Sequence, residues 1–255
     1  MVVSDHRSEG ANLSGRRVVL TGASRGLGEA LAHAFSRAGA QVALVARSAP
    51  DLERVSAALP GDALALAGDV TDADFNHRVA GEVVAAWGGL DVWIANAGVA
   101  PTVGGPLETT PEQWRQVLDV NLTGAFLGAR AAAAHLGPGG RLIFTGSVLG
   151  ERPRAGLAAY SASKAGMVAT AKALALDLAA AGVTVNVVAP GWFDTPLTEG
   201  WMRNPALSER ITGHTALRRW GDPAELTGAY LFLASEASSF VTGSVLTVDG
   251  GYLLV

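Results

Sequence analysis

The chain has 255 residues, of which 49% are hydrophobic and 16% are charged, and its formal net charge is −4. This length and composition suit one α/β domain with a full hydrophobic core. The absence of cysteine excludes disulfides and thiolate metal ligands, and the lack of a basic tract argues against nucleic-acid binding.

The N-terminal residues MVVSDHRSEG are polar and lack the apolar centre of a signal peptide. No apolar run reaches the roughly 18 residues that a membrane span needs. The five histidines lie far apart without metal-ligand spacing, so we expect no metal. We therefore expect a cytoplasmic protein with a flexible N-terminal tail at 1–14 and a single domain at 15–255.

A glycine-rich turn follows the first predicted strand, at 16–20, and precedes a helical pattern that begins near Leu27. Strand, glycine turn and helix form the context of a dinucleotide-binding loop, because glycines let the backbone approach a pyrophosphate and the helix offers free N–H groups. The alternative is a turn that simply requires glycine. The turn residues that we expect to bind a dinucleotide cofactor are Gly22, Ser24, Arg25, Gly26, Leu27 and Gly28.

The second predicted strand, at 41–45, ends in Ala46-Arg47. An acidic residue near this strand end usually binds the ribose hydroxyls in NAD sites, and Ala46 stands there instead. Two guanidinium groups, those of Arg25 and Arg47, suit the 2′-phosphate of NADP(H). We therefore expect NADP(H) in preference, with NAD(H) as the alternative. The alternative for either arginine is a solvated surface charge.

Strands predicted at 63–67 and 91–95 alternate with a helix at 72–87, and this alternation predicts a parallel sheet with right-handed crossovers. We predict a doubly wound Rossmann fold of about seven mostly parallel strands flanked by helices. Ligands of such sheets bind beyond the carboxyl ends of the strands. Thr21, Asp69 and Asn96 fall at those ends.

The second half carries side chains suited to proton transfer. A predicted helix from Pro111 to about Leu136 contains Asn121, and a fifth strand at 141–147 ends on Ser147. Tyr160 and Lys164, four residues apart in a predicted helix at 158–180, share one helix face. A positive charge beside a phenol lowers its pKa and makes it a usable acid or base. An ordinary surface tyrosine and lysine are the alternative.

The motifs together resemble the short-chain dehydrogenase/reductase family over about residues 14–251. They are Thr21-Gly22-x-x-x-Gly26-x-Gly28, Asn96-Ala97-Gly98, Asn121, Ser147, Tyr160-x-x-x-Lys164, Pro190-Gly191 with Thr195, and Val248-Asp249-Gly250-Gly251. The resemblance implies an oxidoreductase that transfers a hydride between a nicotinamide cofactor and a secondary alcohol or ketone, acting as a homodimer or homotetramer.

By this resemblance, Tyr160 is the general acid or base and Ser147 polarises the reacting oxygen. Lys164 lowers the Tyr160 pKa and holds the nicotinamide ribose, while Asn121 positions a water of a proton relay. The implied cofactor contacts, beyond the glycine turn and Arg47, are Asp69, Val70, Asn96, Ala97, Gly98, Tyr160, Lys164, Pro190, Gly191 and Thr195.

Segments 190–195 and 219–223 resemble the gluconate 5-dehydrogenase-like branch of the family, which implies a sugar acid or polyol as the small-molecule substrate. The residues expected to bind it are Ser147, Glu151, Arg154, Tyr160 and Trp192. Arg154 suits a carboxylate, and the alternative is that Glu151 and Arg154 are both solvated loop charges. Segment 192–201 is either a lid or packs against the sheet. One alternative is a 3-oxoacyl thioester or general ketoreductase. Another is a non-catalytic dinucleotide-binding sensor, against which the four catalytic residues together argue.

Overall fold

The computed structural model describes residues 12–100 and 104–255. Within them, seven strands form one sheet in the order β3-β2-β1-β4-β5-β6-β7, and each neighbouring pair is parallel. This confirms the predicted doubly wound sheet. The strands are β1 (Arg17–Thr21), β2 (Gln41–Ala46), β3 (Ala63–Ala67), β4 (Val92–Ala95), β5 (Arg141–Thr145), β6 (Thr184–Pro190) and β7 (Val245–Val248).

Nine α-helices accompany the strands in the same two ranges of the chain. They are α1 (Gly26–Arg37), α2 (Ala49–Ala57), α3 (Ala73–Trp87), α4 (Pro111–Leu118), α5 (Gly124–Ala133), α6 (Ala158–Leu178), α7 (Glu199–Met202), α8 (Pro205–Gly213) and α9 (Pro223–Ala234). None of these helices is long and apolar enough to cross a membrane.

Helices cover both faces of the sheet, which is why its inner strands are apolar on both sides. Successive strand residues point to opposite faces. In β1, Val19 packs into the cluster formed with α3, α5 and α6, whereas Val18 and Leu20 pack into the cluster formed with α1, α2 and α9. The sheet order reverses between β1 and β4, so a crevice opens there at the strand ends.

The stretch predicted as one helix from Pro111 to about Leu136 is helical from Pro111 to Ala133, but it changes helix type within this range and ends three residues early. After α4 comes a π-helical segment, Asp119–Thr123, and α5 then ends at Ala133. Such a segment inserts an extra residue into a helical turn. Here it brings the buried side chain of Asn121 against the main chain of Val99, with which it forms two hydrogen bonds.

Two further boundaries differ from the predictions. β5 ends at Thr145 rather than at Ser147, because the Ser147 side chain instead caps the short turn Val148–Gly150. The predicted tail at 1–14 lies outside the described residues up to position 11. Within the described part, Leu13 is buried and its N–H donates to Ala38 O at 2.9 Å, so packed structure begins before residue 15.

Two helical glycines give a matched test of this packing. A Cβ at Gly128 in α5 would lie 2.8 Å from the buried Trp93 Nε1, whereas a Cβ at Gly81 in α3 meets no atom within 4 Å. Gly128→Ala should lower the free energy of unfolding by about 1–3 kcal/mol through overpacking. Gly81→Ala should raise it by up to about 1 kcal/mol through helix propensity. Urea unfolding of both variants checks this, and equal effects would contradict the described packing.

Candidate active site

A cavity of about 400 Å³ opens at the carboxyl ends of the strands, beside the switch between β1 and β4. Parallel strands that end at one edge bring together residues far apart in the chain. Three of the four predicted catalytic residues line this cavity: Ser147, Tyr160 and Lys164. Every residue predicted to bind the cofactor also lines it: Gly22, Ser24, Arg25, Gly26, Leu27, Gly28, Arg47, Asp69, Val70, Asn96, Ala97, Gly98, Tyr160, Lys164, Pro190, Gly191 and Thr195.

The glycine turn fits a dinucleotide phosphate. Gly22 has φ +68°, and a Cβ there would lie 2.8 Å from Ala97 Cα. A Cβ at Gly28 would lie 2.0 Å from Gly22 O, so only glycine allows the tight turn. No side chain caps α1, which begins just after the extended Arg25. Its first N–H groups are therefore available to an anion at the cavity wall.

Asn96 and Thr21 join the ends of β4 and β1. The Thr21 hydroxyl accepts hydrogen bonds from the N–H groups of Asn96, at 2.9 Å, and Ala97, at 3.0 Å. In return, the Asn96 amide donates to Thr21 O at 2.9 Å. These reciprocal bonds hold the glycine turn against the strand end that faces it. Asn96 therefore shapes the cavity wall through the backbone of β1.

Lys164 is a buried cation, with 3% of its surface exposed. Its Nζ donates to Thr145 O at 2.7 Å, which fixes the ammonium at the end of β5. The same Nζ lies 5.7 Å from the centroid of the Tyr160 ring. Burial disfavours the charged form and lowers the pKa of Lys164 to about 8.

Tyr160 is half-buried at the start of α6. Burial raises the pKa of its phenol, and a hydrogen bond with Ser147 acts in the opposite direction. The structure therefore does not show the predicted lowering of this pKa by the Lys164 charge, and that lowering stays a prediction. The ammonium is engaged by the Thr145 carbonyl, and desolvation dominates the environment of the phenol.

Asn121 is fully buried and does not line the cavity. Its amide oxygen accepts from Val99 N at 2.8 Å, and its nitrogen donates to Val99 O at 2.9 Å and to Ser163 Oγ at 3.2 Å. Ser163 in turn donates to Tyr160 O at 2.7 Å. Asn121 thus ties the loop after β4 to the first turn of α6. Nothing in the sequence indicated a role for Ser163 apart from its place between Tyr160 and Lys164.

Arg25 and Arg47 are exposed at the end of the cavity that Ser48 and Asp51 also line. Among the described residues, neither guanidinium forms a hydrogen bond or an ion pair. Arg54, by contrast, pairs with Glu29 at 2.6 Å. The two arginines therefore present open donors at the cavity rim, beside the carboxylate of Asp51.

Three residues predicted to bind substrate do not line the cavity: Glu151, Arg154 and Trp192. Trp192 is only 6% exposed, so this end of the segment 192–201 is packed into the protein. Three aromatic rings surround it with centroids 5.1, 5.8 and 6.2 Å away, respectively those of Trp201, Trp220 and Tyr252. The Arg154 guanidinium stacks 5.4 Å over the Trp192 ring, and Glu151 is exposed. This aromatic cluster also contacts Tyr160, so it borders the catalytic side of the cavity.

Comparisons with known proteins agree with this geometry. Residues 22–253 match the family model described as enoyl-(acyl carrier protein) reductase. A short-chain type dehydrogenase/reductase from Mycobacterium marinum superposes with a TM-score of 0.88 at 40% identity, over 94% of this chain and 96% of that one. The chain belongs to the short-chain dehydrogenase/reductase family. It is therefore an oxidoreductase acting on CH–OH or C=O groups, in a family whose members bind NAD(P)(H).

Two curated relatives share most of its length. Cis-4-hydroxycyclohexanecarboxylate dehydrogenase from Sinomonas cyclohexanicum is 37% identical, over 94% of this chain and 97% of the relative. Gluconate 5-dehydrogenase from Gluconobacter oxydans is 36% identical, over 94% of this chain and 95% of the relative. The two relatives are named for different substrates. The similarity therefore shows the family and the type of reaction but does not identify the substrate of this chain.

The buried charge of Lys164 predicts a pH dependence of stability. Its pKa falls from an ordinary 10.5 to about 8 on folding, so the unfolded chain binds the extra proton between these values. Stability should therefore rise with pH across this window, by up to about 3 kcal/mol. The measurement is the difference in unfolding free energy between wild type and Lys164→Met from pH 7 to 10. Lys172→Met, at an exposed position of α6, is the control, and a pH-independent difference for Lys164→Met would contradict the prediction.

Proposed function

We propose that the protein is an NADP(H)-dependent oxidoreductase that transfers a hydride between the nicotinamide and a secondary alcohol or ketone. The supporting observation is that Ser147, Tyr160 and Lys164 line the same cavity as the glycine turn. The turn has the backbone approach and the uncapped helix end that a pyrophosphate requires. A cofactor held by this turn would share the cavity with the proton-transfer residues.

When bound, the nicotinamide supplies or accepts the hydride. Tyr160 gives its hydroxyl proton to the substrate oxygen during reduction and takes a proton from the alcohol during oxidation. Ser147 holds that oxygen through its own hydroxyl. Because burial raises the pKa of Tyr160, the phenol is protonated near neutrality and is ready to act as the acid.

Lys164 and Asn121 complete the proposed site. The Lys164 ammonium, fixed by Thr145 O at 2.7 Å, would hold the nicotinamide ribose. A Cβ at Gly98 would lie 3.4 Å from Asn121 Oδ1 and 3.7 Å from Lys164 Nζ, so both groups approach the same backbone position. This proximity supports the proposal that Asn121 positions a relay water beside Lys164.

Tyr160→Phe tests the catalytic assignment. The variant loses the proton donor but keeps the ring, so turnover should fall at least about a hundredfold while the cofactor dissociation constant stays near that of the wild type. Nicotinamide absorbance measures turnover, and cofactor fluorescence measures binding. Tyr252→Phe makes the same change at a residue that does not line the cavity and serves as control.

Near wild-type turnover in Tyr160→Phe would overturn the assignment. A wild type that binds the cofactor yet turns over no alcohol or ketone would favour the non-catalytic sensor.

For the cofactor, we propose a preference for NADP(H). Support comes from Arg25 and Arg47, whose guanidinium groups stand at the cavity rim without a described partner. Forked guanidinium donors match phosphate oxygens. NAD(H) is the second candidate, because the carboxylate of Asp51 lines the same end and suits ribose hydroxyls.

Arg47→Asp tests this preference. Replacing the cation by an anion should raise the KM for NADPH about tenfold or more, since charge-assisted hydrogen bonds contribute about 1.5–3 kcal/mol. The KM for NADH should change little. Initial rates with both cofactors give the ratio, and Arg37→Asp provides the same charge change at the far, exposed end of α1. An unchanged preference for NADPH would mean that residues other than Arg47 recognise the 2′-phosphate.

For the substrate, we propose a sugar acid or polyol. Arg154 supports this choice, because its stacked guanidinium at the border of the site can bind a carboxylate. The similarity to gluconate 5-dehydrogenase supports it as well. A 3-oxoacyl thioester is the second candidate, favoured by the family model whose description names an acyl carrier protein. Initial rates on a panel of sugar acids, polyols and 3-oxoacyl thioesters decide between them.

We also propose that the protein is a homodimer or homotetramer. Phe126 on α5 and Leu176 on α6 expose 41% and 81% of their surfaces, and burial of these side chains against a second copy would remove apolar area from water. The cytoplasmic location stays a prediction from the sequence.

A further inference from the structure

Thr145 stands at the end of β5 with its hydroxyl between two polar groups. Thr145 Oγ1 lies 2.7 Å from the hydroxyl of Tyr230 and 3.2 Å from Asn96 Oδ1. The amide oxygen of Asn96 has no hydrogen to give, so Thr145 must donate to it. Thr145 then has only lone pairs left for the other contact, and Tyr230 must donate to Thr145. The direction of both bonds is thus fixed.

The bonds continue to the glycine turn. Asn96 Nδ2 donates to Thr21 O at 2.9 Å and approaches Gly22 O at 3.4 Å. A one-way chain of donors therefore runs from Tyr230 on α9 through Thr145 and Asn96 to the end of β1. It reaches the backbone that the proposed phosphate site uses.

The same threonine also holds the other half of the site. Its carbonyl accepts the bond from Lys164 Nζ at 2.7 Å. A shift of the Thr145 backbone would therefore affect both the glycine turn and the position of the catalytic lysine.

Tyr230 is suited to anchor such a chain. It is fully buried, its ring packs in the cluster of α1, α2 and α9, and it does not line the cavity. Burial raises the pKa of its hydroxyl, so the group remains a donor under ordinary conditions. A phenylalanine would fill the core equally well, and the hydroxyl therefore calls for an explanation beyond packing.

We propose that Tyr230 is a positioning residue of the cofactor site, acting through Thr145 on Asn96 and on the glycine turn. It touches neither cofactor nor substrate. The inference rests on the proposed function only in placing the dinucleotide at this turn. A helix on one face of the sheet thereby sets the shape of the binding loop at the strand ends.

The test is a double-mutant cycle with Tyr230→Phe and Thr145→Val. Each variant removes one hydroxyl from the chain of hydrogen bonds between Tyr230 and Asn96. Each single variant should weaken NADPH binding about three- to tenfold, the effect of one lost hydrogen bond. The double variant should bind no more weakly than about the worse single, because both changes break the same chain. Titration of NADPH fluorescence gives the dissociation constants without turnover.

Two controls separate positioning from stability. Thr145→Ser keeps the hydroxyl and should bind NADPH like the wild type. Ser238→Ala removes a buried hydroxyl that follows α9 and donates to Leu233 O and Ser235 O. It should lower Tm without changing the NADPH dissociation constant.

Tyr230→Phe with wild-type NADPH affinity would overturn the inference, whether or not its Tm falls. Multiplicative effects in the double variant would also overturn it, because they would mean independent actions. A wild-type protein that binds neither NADPH nor NADH would instead overturn the proposed function, and the inference with it.

Discussion

The bond from the Lys164 ammonium to the carbonyl of Thr145 is the interaction on which the site depends. A buried ammonium is costly unless it is hydrogen-bonded, and this carbonyl, at the free end of β5, is 2.7 Å away. The bond places the cation at the strand ends, where the glycine turn and Tyr160 also lie. The catalytic side chains and the glycine turn thus both lie at the carboxyl ends of the parallel strands.

Much of the fold was predictable because its signals are local. Alternating apolar strands and helices indicated a parallel sheet, and the glycines around Gly22 and Gly28 indicated the turn after β1. Steric contacts in the structure explain the glycines, since a Cβ at either position would overlap the backbone. The π-helical segment around Asn121 was not predictable. Its Asn121 side chain is held by hydrogen bonds to Val99, which is 22 residues away in sequence.

Most residues of the candidate site were predictable from the sequence, but the pKa shifts of Tyr160 and Lys164 were not. Spacing alone placed Tyr160 and Lys164 on one helix face, but the spacing could not show that the Thr145 carbonyl engages the ammonium. Burial raises the pKa of Tyr160, away from neutrality, and lowers the pKa of Lys164 to about 8. Tyr230 was missed for the same reason, since its hydrogen bond to the site joins it to a residue 85 positions away in sequence.

The π-helical segment Asp119–Thr123 limits how far the length of the stretch from α4 to α5 can be changed. Its extra residue breaks the rotational phase between α4 and α5, so the two helices present faces to the sheet independently of each other. The glycine side of α5 can press Gly128 against Trp93 while the preceding turn directs Asn121 inward. A one-residue deletion that restored a regular helix would rotate one of these two faces away from its partner.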